Sequence, residues 1–241
     1  MTSSSAKQKR QSPAQSATRQ DKKGFAPPWE VIEKLRQAIA NRELESGTRL
    51  KELALTRKYH TSRAAVREAL NGLQSEMLVR HLPEGGFCVA DVTLADAQNI
   101  YETREVLEGL AARLFVERAT PKHIAALEKA IQDFISEADK EKEADIDVLL
   151  AHRNRVHDIL LAGSGNQVIQ NILRSLHTRI SDLRKRTLSQ PGRPKETNEE
   201  LSAILAAIKD GNADAAEQAA MRLVRQAAKL AYSELRERSG P

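Results

Sequence analysis

In the stretch Thr61-Ser62-Arg63-Ala64-Ala65-Val66-Arg67-Glu68-Ala69-Leu70, two arginines stand four residues apart beside small side chains. That spacing puts Arg63 and Arg67 on one face of a helix. A guanidinium can donate two hydrogen bonds to O6 and N7 of guanine, and Ala64 leaves room for the helix to enter a DNA major groove. Positioning the two forks requires a helix that starts sharply. Ser62 suits its N-cap, because a hydroxyl accepts from the free N–H groups of a first turn. Ala65, Val66, Ala69, Leu70 and Leu73 then recur at helical spacing and form an apolar stripe for packing. A surface helix with two solvated arginines has the same pattern, so the flanking elements decide between the readings.

Upstream, Pro27-Pro28 suit a helix start, and Ile32, Leu35, Arg36 and Ile39 recur in helical rhythm between Trp29 and Asn41. Ser46-Gly47 predicts a turn, residues 51–59 a short helix, and His60-Thr61 a tight connection into the Ser62 helix, which runs to about Glu76. The period then changes to two. Residues 78–82, a Pro83-Glu84-Gly85-Gly86 turn and residues 87–89 predict a β-hairpin. Three helices and a two-stranded wing make a winged helix-turn-helix over residues 25–91. Charge concentrates there: Arg49, Lys51, Arg57, Lys58, Arg63 and Arg67 against Glu52 give +5 over 19 residues, the footprint of a phosphate-binding face. Residues 1–24 hold six basic side chains against one acidic and almost nothing to bury, and predict a disordered basic tail. Such a tail either adds phosphate contacts or is inert. The rest of the chain is neutral, with 32 basic and 32 acidic residues.

Leu35-x3-Ile39, Gly47-Thr48-Arg49-Leu50-x-Glu52, Ser62-Arg63-x2-Val66-Arg67-Glu68-Ala69-Leu70-x2-Leu73 and Gly86-Phe87-x-Val89 together resemble the DNA-binding domain of GntR-type bacterial transcription regulators. The resemblance implies that Ser62, Arg63 and Arg67 contact DNA from the recognition helix; Arg49, from the basic cluster, and Ala64, which leaves room for close approach, are expected in the same surface. Gly86 in the wing lets backbone approach the minor groove or phosphate. Ser46 stands where the family has proline, His60-Thr61 where it has Gly-Val, and Leu53 where arginine is frequent. These departures bear on the operator read rather than on the fold.

After Asp91 the chain reads helical throughout. Thr93 with Asp96 resembles a capping box opening a helix to about Arg118, and Thr120-Pro121 pairs an N-cap with proline at N1. Further helices are expected over 145–162, 167–188, 197–210 and 213–237, with a loop over 189–194. The predicted class is therefore mainly α, a winged helix-turn-helix followed by an antiparallel helical bundle over residues 92–241.

Tyr101-Glu102-Thr103-Arg104-x3-Glu108 and Val156-His157-x5-Gly163-Ser164-Gly165-Asn166 resemble the FCD ligand-binding bundle of the same regulators. In that branch a carboxylate effector binds centrally, often with a divalent metal held by one Asp and three His. The metal set fails here. The position four before His157 is Arg153, the two later positions fall at Leu201 and about Val224, and no histidine follows His177. His152 and His157, five apart, diverge too far around a helix to chelate together. Arg153 and His157 instead share a face with Val156 and Leu160. An arginine fork binds carboxylate directly, without an ion. Arg104, Arg153, His157 and Asn166 are thus the candidate effector residues, with no metal and no cofactor. A structural ion pair of Arg153 with Glu108 is the competing reading. The remaining histidines are expected to be solvated or at the core edge.

The 3% aromatic content predicts Leu/Ile/Val/Ala cores, and the lone Cys88 rules out an internal disulfide and suits a reducing cytoplasm. No apolar run approaches the length of a membrane span. No Gly-rich phosphate loop, nucleophile elbow or paired-carboxylate motif points to catalysis. The expected function is a cytoplasmic, homodimeric regulator, a repressor, that binds double-stranded operator DNA and answers to a small anionic carboxylate. The alternative is an architectural DNA-binding protein whose bundle only dimerises.

Overall fold

The computed structural model describes residues 25–140 and 144–239, so the expected basic tail at residues 1–24 lies outside the described residues. The N-terminal unit runs α1 (Pro28–Ala40), β1 (Arg49–Leu50), α2 (Glu52–Lys58), α3 (Arg63–Ser75), β2 (Val79–His81) and β3 (Phe87–Val89). Its core is the stripe anticipated on α3, Val66, Ala69, Leu70 and Leu73, closed by Val31, Leu35 and Ile39 of α1 and by Phe87 and Val89 of the wing. The Ser62 hydroxyl accepts from the Ala65 N–H at 3.1 Å, so α3 begins where its cap dictates. Such a cap contributes about 1 kcal/mol.

The wing has three strands instead of the expected two, in the antiparallel order β1-β3-β2, with Leu50 opposite Phe87 and His81 on its other side. At two residues, β1 is too short to carry a period, and its partner is distant in sequence. The wing tip turns through Gly85 and Gly86 at φ +94° and +89°, a region closed to most L side chains.

The C-terminal unit is helical: α4 (Leu94–Arg118), α5 (Pro121–Ala138), α6 (Ile146–Ser164), α7 (Gln167–Arg179), α8 (Ser181–Leu188), α9 (Arg193–Lys209) and α10 (Ala213–Ser239). Thr93 and Asp96 close the expected capping box on α4. Thr120 caps α5, with the His123 ring closing the reciprocal bond. Leucine, isoleucine and alanine fill the core, with Tyr101, Phe115 and Phe134 the largest fully buried side chains. Gly163 lets α6 lie against Phe115 of α4; a Cβ there would sit 2.3 Å from the Phe115 ring.

Two expectations are corrected. The single helix over 167–188 is broken at Ile180, a fully buried residue with φ −106° and ψ 16°. Neither Gly nor Pro marks the break, and Ile180 itself is packed in the core. α9 begins at Arg193, not 197, because Gly192 adopts φ +83° and Pro194 favours a first turn. Asp182, near the start of α8, pairs with Arg42, two residues past the end of α1, at 2.6 Å. Among the described residues no helix is long and apolar enough to cross a membrane.

Candidate functional site

The outer face of α3 carries Ser62, Arg63, Ala64 and Arg67, all exposed. Arg67 is held before any ligand arrives: its Nε donates to both oxygens of Glu52, the first residue of α2, at 2.9 and 3.0 Å. Both terminal nitrogens of the fork are left free of that contact, while the side chain stays 69% exposed. Arg49, on β1, donates to the Gly85 carbonyl at 3.2 Å and so ties the wing tip beside exposed Gly86. Leu53, standing where arginine is frequent in the resembled domains, is exposed on α2.

A second cluster lies inside the helical unit. α4 supplies Tyr101, Arg104 and Glu108, one above another at helical spacing. α6 supplies Arg153 and His157, α7 supplies His177, and α8 supplies Arg184. The Arg104 Nε donates to Glu108 Oε1 at 2.8 Å, both side chains more than nine-tenths buried. His177 Nε2 lies 3.1 Å from the same oxygen, and the rings of His157 and His177 meet at a tilt of 43° with centroids 3.9 Å apart. His177, 11% exposed, sits at the core edge as expected, and its ring is packed against this cluster. Glu108 pairs with Arg104 rather than with Arg153, and neither Arg153 nor Arg184 is in an ion pair among the described residues.

Three of the six buried polar atoms without a hydrogen-bond partner among the described residues lie in this cluster: Tyr101 Oη, Arg104 Nη1 and His157 Nε2. Unsatisfied buried donors are costly, about 1–3 kcal/mol each, and they cluster where a ligand or water completes them. Electrostatics follow from the crowding. Burial, opposed by Glu108 and reinforced by the nearby guanidiniums, pushes the His157 imidazole down to about 3. Burial and the adjacent His157 hold His177 well below its ordinary value. Burial with the charges of Arg104 and Arg153 pushes Arg184 down to about 9. Burial alone would raise the Glu108 carboxyl, yet Arg104, the His177 contact and His157 hold it well below the carboxylate range. At neutral pH the cluster thus holds three guanidinium charges, one carboxylate and two neutral imidazoles.

Tyr101, Arg104, Arg153 and Arg184 line one cavity, together with Arg193, Leu150 and other walls. Arg153 and His157 also line a second, more apolar cavity with Glu108. Asn166 is elsewhere: it is the N-cap of α7, and its side-chain oxygen accepts from the Val168 and Ile169 N–H groups, each at 3.1 Å. Arg184 and Tyr101 join the cluster although sequence reasoning did not select them. Arg184 sits in a basic run with Lys185 and Arg186 that reads as a solvated face.

The donor set does not fit the metal of the resembled bundles. Arg153 replaces the aspartate, and Leu201 and Val224 are buried apolar side chains. Glu108, His157 and His177 do bring one ligand atom each within 4.8 Å of one another. Arg104 already occupies the Glu108 oxygen there, and the fields of Arg104, Arg153 and Arg184 oppose a dication.

A helix with two exposed arginines beside a wing, followed by a helical bundle with a polar centre, defines a class of DNA-binding regulator. Residues 29–89 match the gntR family of bacterial regulatory proteins, and residues 99–226 match the FCD domain. The chain belongs to the GntR family of transcription regulators, in its FCD branch. It is 26% identical over 184 residues to the uncharacterized HTH-type transcriptional regulator YdhC of Bacillus subtilis, covering 76% of this chain and 81% of that one. It is 28% identical over 196 residues to the galactonate operon transcriptional repressor of Escherichia coli, covering 72% and 82%. The solved structure of E. coli McbR/YncC shares the fold at TM-score 0.71 and 22% identity, over 87% of this chain and 99% of that one. The protein is thus a DNA-binding transcription regulator and not an enzyme.

Proposed function

We propose that this regulator is a homodimeric repressor whose helical unit senses a small carboxylate metabolite directly through arginine, without the metal used by related bundles. The observation that carries the reading is the pair of unsatisfied buried donors, Tyr101 Oη and Arg104 Nη1, at a cavity also lined by Arg153 and Arg184. Arginine has donors and no acceptor, so an anion is the ligand that completes such a wall. Repression is supported by the E. coli relative named as a galactonate operon repressor, and galactonate is itself a carboxylate. On the DNA side, Arg63 and Arg67 read base edges, Ser62 and Ala64 allow close approach, and Arg49 with Gly86 brings the wing to the backbone. One winged helix reads too few base pairs for genomic selectivity, so two copies bind palindromic half-sites. The protein works in the cytoplasm, where DNA and metabolite meet.

Effector binding changes operator affinity by the difference in its affinity for two arrangements of the bundle, about 1–3 kcal/mol. Calorimetry with a library of small carboxylates on the wild-type chain and on Arg153→Ala tests the sensor. Binding that disappears in Arg153→Ala supports it. Equal binding by both proteins removes Arg153 from the site.

A further inference from the structure

The cavity walled by Tyr101, Arg104, Arg153 and Arg184 has a charge that can be counted. Glu108 neutralises one of the three guanidiniums, through Arg104. Arg193, on the same wall, is matched by the largely buried Glu200 at 2.7 Å, while its second partner, Glu196, is 64% exposed and belongs to the solvent side. His157 carries no charge at neutral pH. Arg153 and Arg184 remain without a carboxylate partner among the described residues, so the pocket carries two positive charges in excess. Both are half-buried, and charges partly withdrawn from water cost free energy that a counter-charge at contact offsets. A monoanion would offset one excess charge and leave the other.

Size sets a second limit. The cavity is about 40 Å³, above the ~10–15 Å³ that one water needs but far too small for a long-chain acid. Its polar wall offers donors: the Arg104 Nη1 and Tyr101 Oη atoms are buried and unpartnered, and the Arg153 and Arg184 forks are free of ion pairs.

From this charge count, cavity size and donor wall, and resting on the carboxylate-sensor reading above, we infer that the pocket takes a compact dianion, a short dicarboxylate or a phosphate group, in preference to a monocarboxylate. One ligand charge answers Arg153 and the other Arg184, while Arg104 Nη1 and Tyr101 Oη donate to the same anionic oxygens. Arg184 is then the residue that sets the valence of the ligand.

The test compares probes of equal length and different charge on the full chain, by calorimetry at constant ionic strength. Succinate and inorganic phosphate are the dianions, butanoate and acetate the monoanions. Succinate is expected to bind at least about tenfold more tightly than butanoate, the size of one charge-assisted contact. Arg184→Gln is expected to bring the two within about twofold while butanoate binding persists. Titrating phosphate across its second ionisation gives the same comparison without a variant: binding strengthens as the dianion forms. Preference for succinate over phosphate, or the reverse, identifies which kind of dianion the site prefers. Equal binding of succinate and butanoate by the wild-type chain overturns the inference and leaves the carboxylate sensor standing. Binding of no acid of either valence overturns the sensor as well.

Discussion

Replacing Glu108 by glutamine removes the one carboxylate that pairs inside the arginine cluster while preserving its shape. Arg104 and Glu108 are 3% and 7% exposed, and their contact is 2.8 Å. Breaking a buried pair from one side costs about 3–5 kcal/mol, because the partner charge stays buried without compensation. Glutamine can still accept from Arg104 and from His177, so the loss falls near the lower end, about 3 kcal/mol. For a chain of this size each kcal/mol moves the melting midpoint by about 2–4 °C, which gives a drop of roughly 6–12 °C. Urea unfolding followed by circular dichroism measures it directly, with the denaturant slope unchanged. Salt should barely alter the loss, since a buried pair is poorly screened. A saturating dianion should recover more stability in Glu108→Gln than in the wild type, because three guanidiniums then face the ligand unopposed. A loss below about 1 kcal/mol, the range of surface pairs, would refute the claim that this cluster is desolvated and short of negative charge.

Arg67→Ala should weaken operator binding by about 1–3 kcal/mol if the fork reads a base, and an unchanged mobility shift would remove it from the interface. Stability should fall as pH drops from about 6.5 towards 4.5. The folded His157 titrates near 3 against an ordinary 6.5, so below 6.5 the unfolded chain takes up a proton that the folded chain refuses. The slope approaches about 1.4 kcal/mol per pH unit for this residue, and the fall in urea midpoints across that range should become shallower in His157→Gln, the remainder coming from His177, which burial also holds well below its ordinary value. Gly163→Ala should cost about 1–2 kcal/mol despite alanine's better helix propensity, since its Cβ would meet the fully buried Phe115 ring at 2.3 Å. A variant as stable as the wild type would mean that Phe115 can move.

The DNA-reading unit was legible because its information is local. A cap at Ser62, a stripe from Ala65 to Leu73 and a change of period after Glu76 each occupy a few consecutive residues. β1 was not, being two residues whose strand partner, β3, comes much later in the chain. In the bundle, Arg104 and Glu108 stand at an i, i+4 spacing that anticipates their contact. Arg153 and His157 were placed on one face by the same rule. His177 and Arg184 could not be found that way, because no periodicity relates side chains on different helices. Arg184 faces the cluster only because the chain breaks at Ile180, where neither glycine nor proline gives warning. Asn166, expected at the effector site from the FCD resemblance, uses its side-chain oxygen for the cap of α7.

The central claim is that acid binding at the arginine cluster controls the grip of Arg63 and Arg67 on DNA. The direct measurement is operator affinity by fluorescence anisotropy, on a site selected from random DNA, titrated with the acid that calorimetry identifies. Wild-type protein should lose affinity by about 5–150-fold at saturation, and Arg153→Gln should hold its DNA regardless of acid. An acid that binds the wild-type chain tightly yet leaves its operator affinity unchanged would contradict the claim.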